Sequence, residues 1–222
     1  MNRMFTYNGG RMVTWNPFTG CNFSCSYCWA RKLAEGKLKK SYPDGFIPAI
    51  HPDRFNKRFK PDDFVFISSM GDISLSSDED FSRVLTRTLD FPKTNFLFCS
   101  KDPKNYGRIG IRVPNIYLGT TIETTEDYHL SKAPSPYDRF LALSKFPYHR
   151  FISIEPIMDF DLFQLLDWLE ILKPDIVEVG ADNYHNHLPE PSSQKLESLL
   201  YHLKHICPTV IEKQGLERLK RG

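Results

Sequence analysis

A chain of 222 residues, 41% hydrophobic and 25% charged, is long enough to bury a core and short enough to fold as one domain. Its 17 Phe, 10 Tyr and 3 Trp exclude the aromatic-poor composition of a disordered chain, and its longest apolar runs, such as Phe64-Val65-Phe66-Ile67, fall far short of the roughly 20 residues that cross a bilayer. The net charge of +2 is uneven: Arg31 to Lys60 holds nine basic residues against three acidic ones, so the remainder carries −4, and Lys213, Arg218, Lys220 and Arg221 form a second basic cluster.

Met1 to Phe5 turn polar without the apolar stretch of a secretory signal, so an intracellular, cytoplasmic and reducing location is expected. Short β-branched or aromatic runs then alternate with helix-period segments, each change falling at Pro, Gly, Ser or Asp. The first strand is read over 12–16, followed by a cysteine loop and a helix over 28–35. A polar, proline-containing stretch, about 36–61, interrupts the rhythm as an insertion or covering loop. Further strands are predicted over 64–69, 95–100, 116–122, 151–154 and 176–179, with a possible last one over 209–211. Helices are predicted over 78–90, 136–145, 162–172 and 192–205, plus a short one opened by Asp102-Pro103. Six strands alternating with helices imply an α/β fold with a parallel sheet, curled into an open partial barrel or doubly wound, and a single domain over 1–222 with a short basic C-terminal tail.

Ligands of such sheets sit at the carboxyl ends of the strands. This rule nominates the cysteine loop, Gly71-Asp72, Ser100-Lys101, Thr121 to Glu123, Glu155 and Gly180 to Asp182. Of five cysteines, Cys21, Cys25 and Cys28 stand in eight residues with the spacing C-x-x-x-C-x-x-C. That pattern does not fit a disulfide framework. Three thiolates on one loop can hold three irons of a [4Fe–4S] cluster and leave the fourth iron open to a small molecule. A closed zinc site needs a fourth ligand, which Cys99, Cys207 or His51 could supply only through the fold. A plain ferredoxin would want a fourth cysteine and a smaller chain.

The cysteine motif, with Tyr27 just before its last member, resembles the signature of the radical S-adenosylmethionine (SAM) superfamily. The longer string Trp15-Asn16-Pro17-Phe18-Thr19-Gly20-Cys21, then Tyr27-Cys28-Trp29-Ala30, is similar to a poorly characterised, often phage-encoded radical-SAM-like family, and more distantly to the spore photoproduct lyase group. Phe66-Ile67-Ser68-Ser69-Met70-Gly71-Asp72, Ile116 to Glu123, Phe151 to Pro156 and Val177 to Gly180 carry the likeness along the chain. The chain departs from that branch in having Cys99-Ser100-Lys101-Asp102-Pro103 where the branch has Thr-Lys-Arg-Pro after the third strand.

The resemblance implies a partial, six-unit β/α barrel of the radical SAM type. It implies a [4Fe–4S] cluster on Cys21, Cys25 and Cys28 and reductive cleavage of SAM to a radical that abstracts hydrogen from a substrate. Tyr27, Ser69, Gly71, Asp72, Lys101, Thr121, Glu123, Ser153 and Glu155 are the cofactor-binding candidates it points to. Among these, Gly71-Asp72 would receive the SAM amino group and Lys101 the methionine carboxylate or a substrate phosphate. Thr121, Glu123, Ser153 and Glu155 would meet ribose hydroxyls, the methionine carboxylate or substrate. Cys99 would donate a hydrogen atom to the substrate radical, or else be a core thiol. Cys207 is read as structural, the pair His185 and His187 as a loop, and Asp182-Asn183 as a substrate-side wall or a turn. An external one-electron donor of flavodoxin or ferredoxin type is expected; the basic stretch reads as a solvated face or as a surface for an anionic partner, and together with an open barrel mouth and the family resemblance it tilts the expected substrate towards a nucleotide or nucleic-acid base. The rival reading is an iron–sulfur or zinc-containing nucleic-acid-binding or regulatory protein without turnover.

Overall fold

The computed structural model describes residues 6–7, 10–110 and 112–221; the reading of Met1 to Phe5 as lacking a secretory signal lies outside them. In chain order the elements are β1 (Thr6–Tyr7), β2 (Gly10–Trp15), β3 (Phe18–Thr19), α1 (Trp29–Glu35), β4 (Ala49–Ile50), β5 (Phe64–Ile67), α2 (Asp78–Leu89) and β6 (Asn95–Cys99). They continue with β7 (Ile116–Thr121), α3 (Pro136–Ser144), β8 (His149–Ile154), α4 (Leu162–Leu172), β9 (Ile176–Val179), α5 (Ser193–Ile206), β10 (Thr209–Glu212) and α6 (Glu217–Lys220). Strands β2, β5, β6, β7, β8, β9 and β10 pair in that order, each parallel to the next, and the sheet curls into a half-barrel; β1 adds antiparallel beside β2. The six expected strands are thus joined by a seventh, since β10 pairs with β9 from Thr209↔Ile176 to Glu212↔Val179.

Strand alternation sorts the side chains into two clusters. Trp15, Ile67, Phe96, Leu118, Ile152 and Val177 point outward and are buried under the helices. Phe64, Leu97, Tyr117, Phe151 and Ile176 point inward and fill the floor of the curl. The helices begin where hydroxyl or carboxylate caps satisfy a free backbone N–H: Ser77, Ser135, Asp161 and Ser192 each accept from the residue three positions on, a contact worth about 1 kcal/mol per helix. The leucine stripe of α4 does what its period predicts, with Leu165, Leu166, Leu169 and Leu172 buried.

The stretch 36–61 is folded onto the sheet. Its strand β4 pairs antiparallel with β3, Trp15 Nε1 donates to the Arg54 carbonyl at 3.0 Å, and Phe46 packs on Ala30, Ala34 and Met70. In the basic C-terminal segment Leu216 is buried, Arg218 pairs with Glu190, Lys220 with Glu212, and Lys213 turns into the barrel. Among the described residues no helix is long and apolar enough to cross a membrane.

Phe96 is fully buried against Trp15 and Phe59. Phe96→Ala is expected to lower stability by about 3–5 kcal/mol, read as a fall in the urea midpoint at unchanged slope.

Candidate functional site

A cavity of about 200 Å³ opens at the carboxyl ends of the strands. Every candidate residue except Glu123 lines it: Cys21, Cys25, Tyr27 and Cys28 from the loop after β2, Ser69, Gly71 and Asp72 after β5, Cys99 and Lys101 at the end of β6, and Thr121, Ser153 and Glu155 from β7 and β8. Asp182 and Asn183 also line it, placing that turn on the cavity wall.

The cysteine loop is held from two sides. Gly20 N–H donates to the Met70 carbonyl at 2.9 Å and Asp72 N–H to the Gly20 carbonyl at 3.2 Å, bridging the loop to the turn after β5. The approach requires glycine at both places: Gly20 has φ +83°, and a Cβ on Gly71 would lie 2.8 Å from the Gly20 backbone. On the other side Ser26 N–H donates to Leu130 O at 2.9 Å, Lys132 N–H to Phe23 O at 2.6 Å, and Ser131 Oγ stands 3.1 Å from Cys25 Sγ. Phe23 N–H points at Cys21 Sγ and Arg31 N–H at Cys28 Sγ, both at 3.4 Å. Burial first, and then the Asp72 carboxylate, push the Cys21 thiol up to about 12; burial also raises Cys28. A cation among the sulfurs would reverse that preference.

The donors that the loop brings to the cavity are three thiols, Cys21, Cys25 and Cys28. Among the described residues no three His, Cys, Asp or Glu side chains are arranged to hold one metal ion.

Glu123 lies behind the cavity wall as the hub of a buried network. Arg139 Nη1 donates to Glu123 Oε2 at 2.7 Å, and Lys101 Nζ and Tyr27 OH both donate to Oε1. Lys101 Nζ is also 3.1 Å from the Tyr27 hydroxyl. Burial alone would raise the Glu123 carboxyl, but Arg139 and Lys101 outweigh it and hold the group well below the usual carboxylate range. Tyr27, one residue from Cys28, is kept protonated by burial and by Glu123. Glu123, expected from the sequence as a cofactor contact, has both oxygens engaged by the protein, and it anchors Tyr27 and Lys101, which do line the cavity.

Asp72 is likewise tied, accepting from Ser100 Oγ at 2.6 Å, Lys101 N–H at 2.9 Å and Ser74 N–H at 3.1 Å, so it caps a turn as well as lining the cavity. Cys99 lines the cavity and packs on the apolar floor, and burial, then Glu178, raises its thiol. Cys207 is buried and donates to the Thr209 carbonyl. Three functional candidates escaped the sequence reading. Arg139 sits inside a helix, Glu178 inside an apolar strand, and Lys213 inside a basic cluster; only the inward register of β9 and β10 joins the last two to the cavity.

A depressed carboxylate contributes stability above its unfolded-state pKa and loses it as pH falls through the folded value. Glu123→Gln should therefore cost about 3–5 kcal/mol at neutral pH by stranding Arg139, and urea titrations should show the gap to wild type closing as pH falls below the carboxylate range. A gap independent of pH would contradict the assignment of charge to Glu123.

Comparison with curated proteins finds no match. A family described as a protein of unknown function, DUF5131, matches residues 11–186, a span that takes in most of β2, the cysteine loop and every cavity-lining candidate named above except Lys213. With most of its length matched, the chain belongs to the DUF5131 family.

Proposed function

We propose that the chain is a radical SAM enzyme in which Cys21, Cys25 and Cys28 hold a [4Fe–4S] cluster, the cavity takes SAM, and the substrate is a nucleotide or nucleic-acid base. The observation that carries this reading is one cavity, at the carboxyl ends of a parallel half-barrel, lined by three thiols of a single loop together with Asp72, Lys101, Thr121 and Glu155. When bound, the cluster and SAM supply one-electron cleavage of the sulfonium and a 5′-deoxyadenosyl radical that takes hydrogen from the substrate.

The protein's own part is binding and orientation. Phe23 and Arg31 N–H groups favour thiolates at Cys21 and Cys28. The turn Ser69 to Asp72 offers backbone and carboxylate to an ammonium, Lys101 a cation to a carboxylate, and Thr121 a hydroxyl to a ribose. Glu155 faces the substrate, and Cys99 is positioned on the wall to return a hydrogen atom to it. Tyr27, fixed by Glu123, keeps the cysteine loop in register with the wall formed by Lys101. Electrons come from an external flavodoxin- or ferredoxin-type donor.

A base as substrate is supported by two observations. Phe66, Trp29 and Tyr184 bring flat apolar surface to the cavity. Lys37, Lys39 and Lys40, in the stretch that covers the cysteine loop, are exposed and pair with no carboxylate among the described residues. Exposed cations without carboxylate partners suit a phosphate backbone.

Anaerobic reconstitution should give a cluster with about four irons, and dithionite with SAM should then yield 5′-deoxyadenosine. Replacing any of Cys21, Cys25 or Cys28 by Ser should abolish both. A stable cluster without SAM cleavage would overturn the enzyme reading in favour of a cluster-bearing binding protein, and one zinc without iron or sulfide would overturn the cluster. Single-stranded oligonucleotide binding should weaken with salt, and replacing Lys37, Lys39 and Lys40 by Ala should reduce the log–log slope by about 2. Affinity independent of salt would remove the nucleic-acid limb.

A further inference from the structure

Each sulfur of the cysteine loop meets a hydrogen-bonding group, and the groups are not of one kind. Cys21 Sγ faces the Phe23 N–H and Cys28 Sγ the Arg31 N–H, main-chain donors of the loop and of the helix that follows it. Cys25 Sγ has Ser131 Oγ, at 3.1 Å and 106 residues away in sequence, as its one hydrogen-bond partner among the described residues.

The connection from β7 to α3 brings Ser131 there. Ser26 N–H, the amide that follows Cys25, donates outward to the Leu130 carbonyl at 2.9 Å, and Lys132 N–H reaches the Phe23 carbonyl at 2.6 Å. These two bonds bracket residue 131 and lay it against the middle sulfur of the motif. Its oxygen accepts from the Ala133 N–H at 3.0 Å, which fixes the hydroxyl in place, and its proton has two acceptors in reach: Cys25 Sγ and, at 3.3 Å, the Phe23 carbonyl. A thiolate is the stronger of the two, because hydrogen bonds to a charged acceptor are roughly twice as strong as those to a neutral one. A metal-bound thiolate has no proton to give, so with iron on Cys25 the hydroxyl is the donor.

We propose that Ser131 is a positioning residue that raises the reduction potential of the cluster by donating a hydrogen bond to Cys25 Sγ. The proposal rests on the reading of the loop as a cluster site and deepens it with a residue outside the cysteine motif. The step concerned is the gain of one electron from the external donor, which is itself oxidised by one electron; no proton moves and no bond breaks. The added negative charge spreads onto the sulfurs, where a hydrogen bond stabilises it, so the reduced form gains more than the oxidised one. Ser131 is the donor that a side-chain change removes, and the bonds that bracket it are main-chain ones that the change leaves in place.

The test is a redox titration of anaerobically reconstituted wild type, Ser131→Ala, Ser131→Thr and Ser131→Val, followed by visible absorption and by electron paramagnetic resonance of the reduced form, with iron counted in each. At the wild-type midpoint the oxidised-to-reduced ratio should be about ten in Ser131→Ala, a fall of about 59 mV for a one-electron couple. Ser131→Thr, which keeps the hydroxyl, should stay within about twofold of wild type. Threonine and valine are alike in shape, so should alanine loosen the connection, the difference between Ser131→Thr and Ser131→Val still reads the hydroxyl alone. Equal iron content with ratios within about twofold in every variant would overturn the proposal and leave the cluster standing. Loss of iron from both Ser131→Ala and Ser131→Val would overturn it too, by making Ser131 a brace for assembly instead. Wild type that takes up neither iron nor sulfide would overturn the cluster reading and this role together.

Discussion

Seven parallel strands that curl without closing impose one constraint on everything else in this protein. A closed barrel can fill its interior with apolar layers, but a half-barrel leaves its upper interior open, and side chains there must be polar enough to meet water or a ligand. The chain obeys this with a gradient along each strand. Phe64, Leu97, Phe151 and Ile176 form the floor, and two or more residues further on the same inward positions become Cys99, Ser153 and Glu178, then Lys101, Glu155 and Asp182. The chemistry of the cavity is the upper part of the packing pattern that makes the floor.

Charge at the top of the barrel is tolerable only because it is paired. Around Glu123 the compensation is complete, with Arg139, Lys101 and Tyr27 taking its oxygens, and the product is rigidity: a loop, two strand ends and a helix become one unit. Around Glu178 compensation is partial. Lys213 offsets the carboxylates and has its own affinity for protons raised by them despite burial, while the Glu178 carboxyl is lifted above the usual carboxylate range, chiefly by burial. One polar cluster is thus fully compensated and the other only in part, and the difference is the count of donors aimed at each carboxylate.

The strands were legible because their β-branched and aromatic runs are bounded by turn residues, and the outward cluster under the helices makes those runs nearly continuous in apolar character. The cysteine loop was legible from spacing alone. β3 and β4, two residues each, carry no periodicity to read, and they exist because Gly20 and Phe46 draw the covering stretch onto the loop. Lys213 was read only as one of a basic cluster because charge clustering in sequence carries no information about which lysine faces inward; that is set by the register of β10 on β9. Glu123 was read as a ligand contact because its place at a strand end is right, but the helix that supplies Arg139 returns to claim it.

Gly180 sets the scope of the cavity as well as its shape. Its missing side chain is the space that the Glu155 carboxyl occupies, and Ile157 N–H donates to its carbonyl at 2.8 Å, so backbone and side chain of the neighbouring strand both converge on one small residue. A single added methyl there would displace the Glu155 carboxyl while the cysteine loop, anchored through Gly20 and Gly71, kept its form. The far wall and the cysteine loop are therefore mechanically separable in this fold, each resting on its own glycine contact.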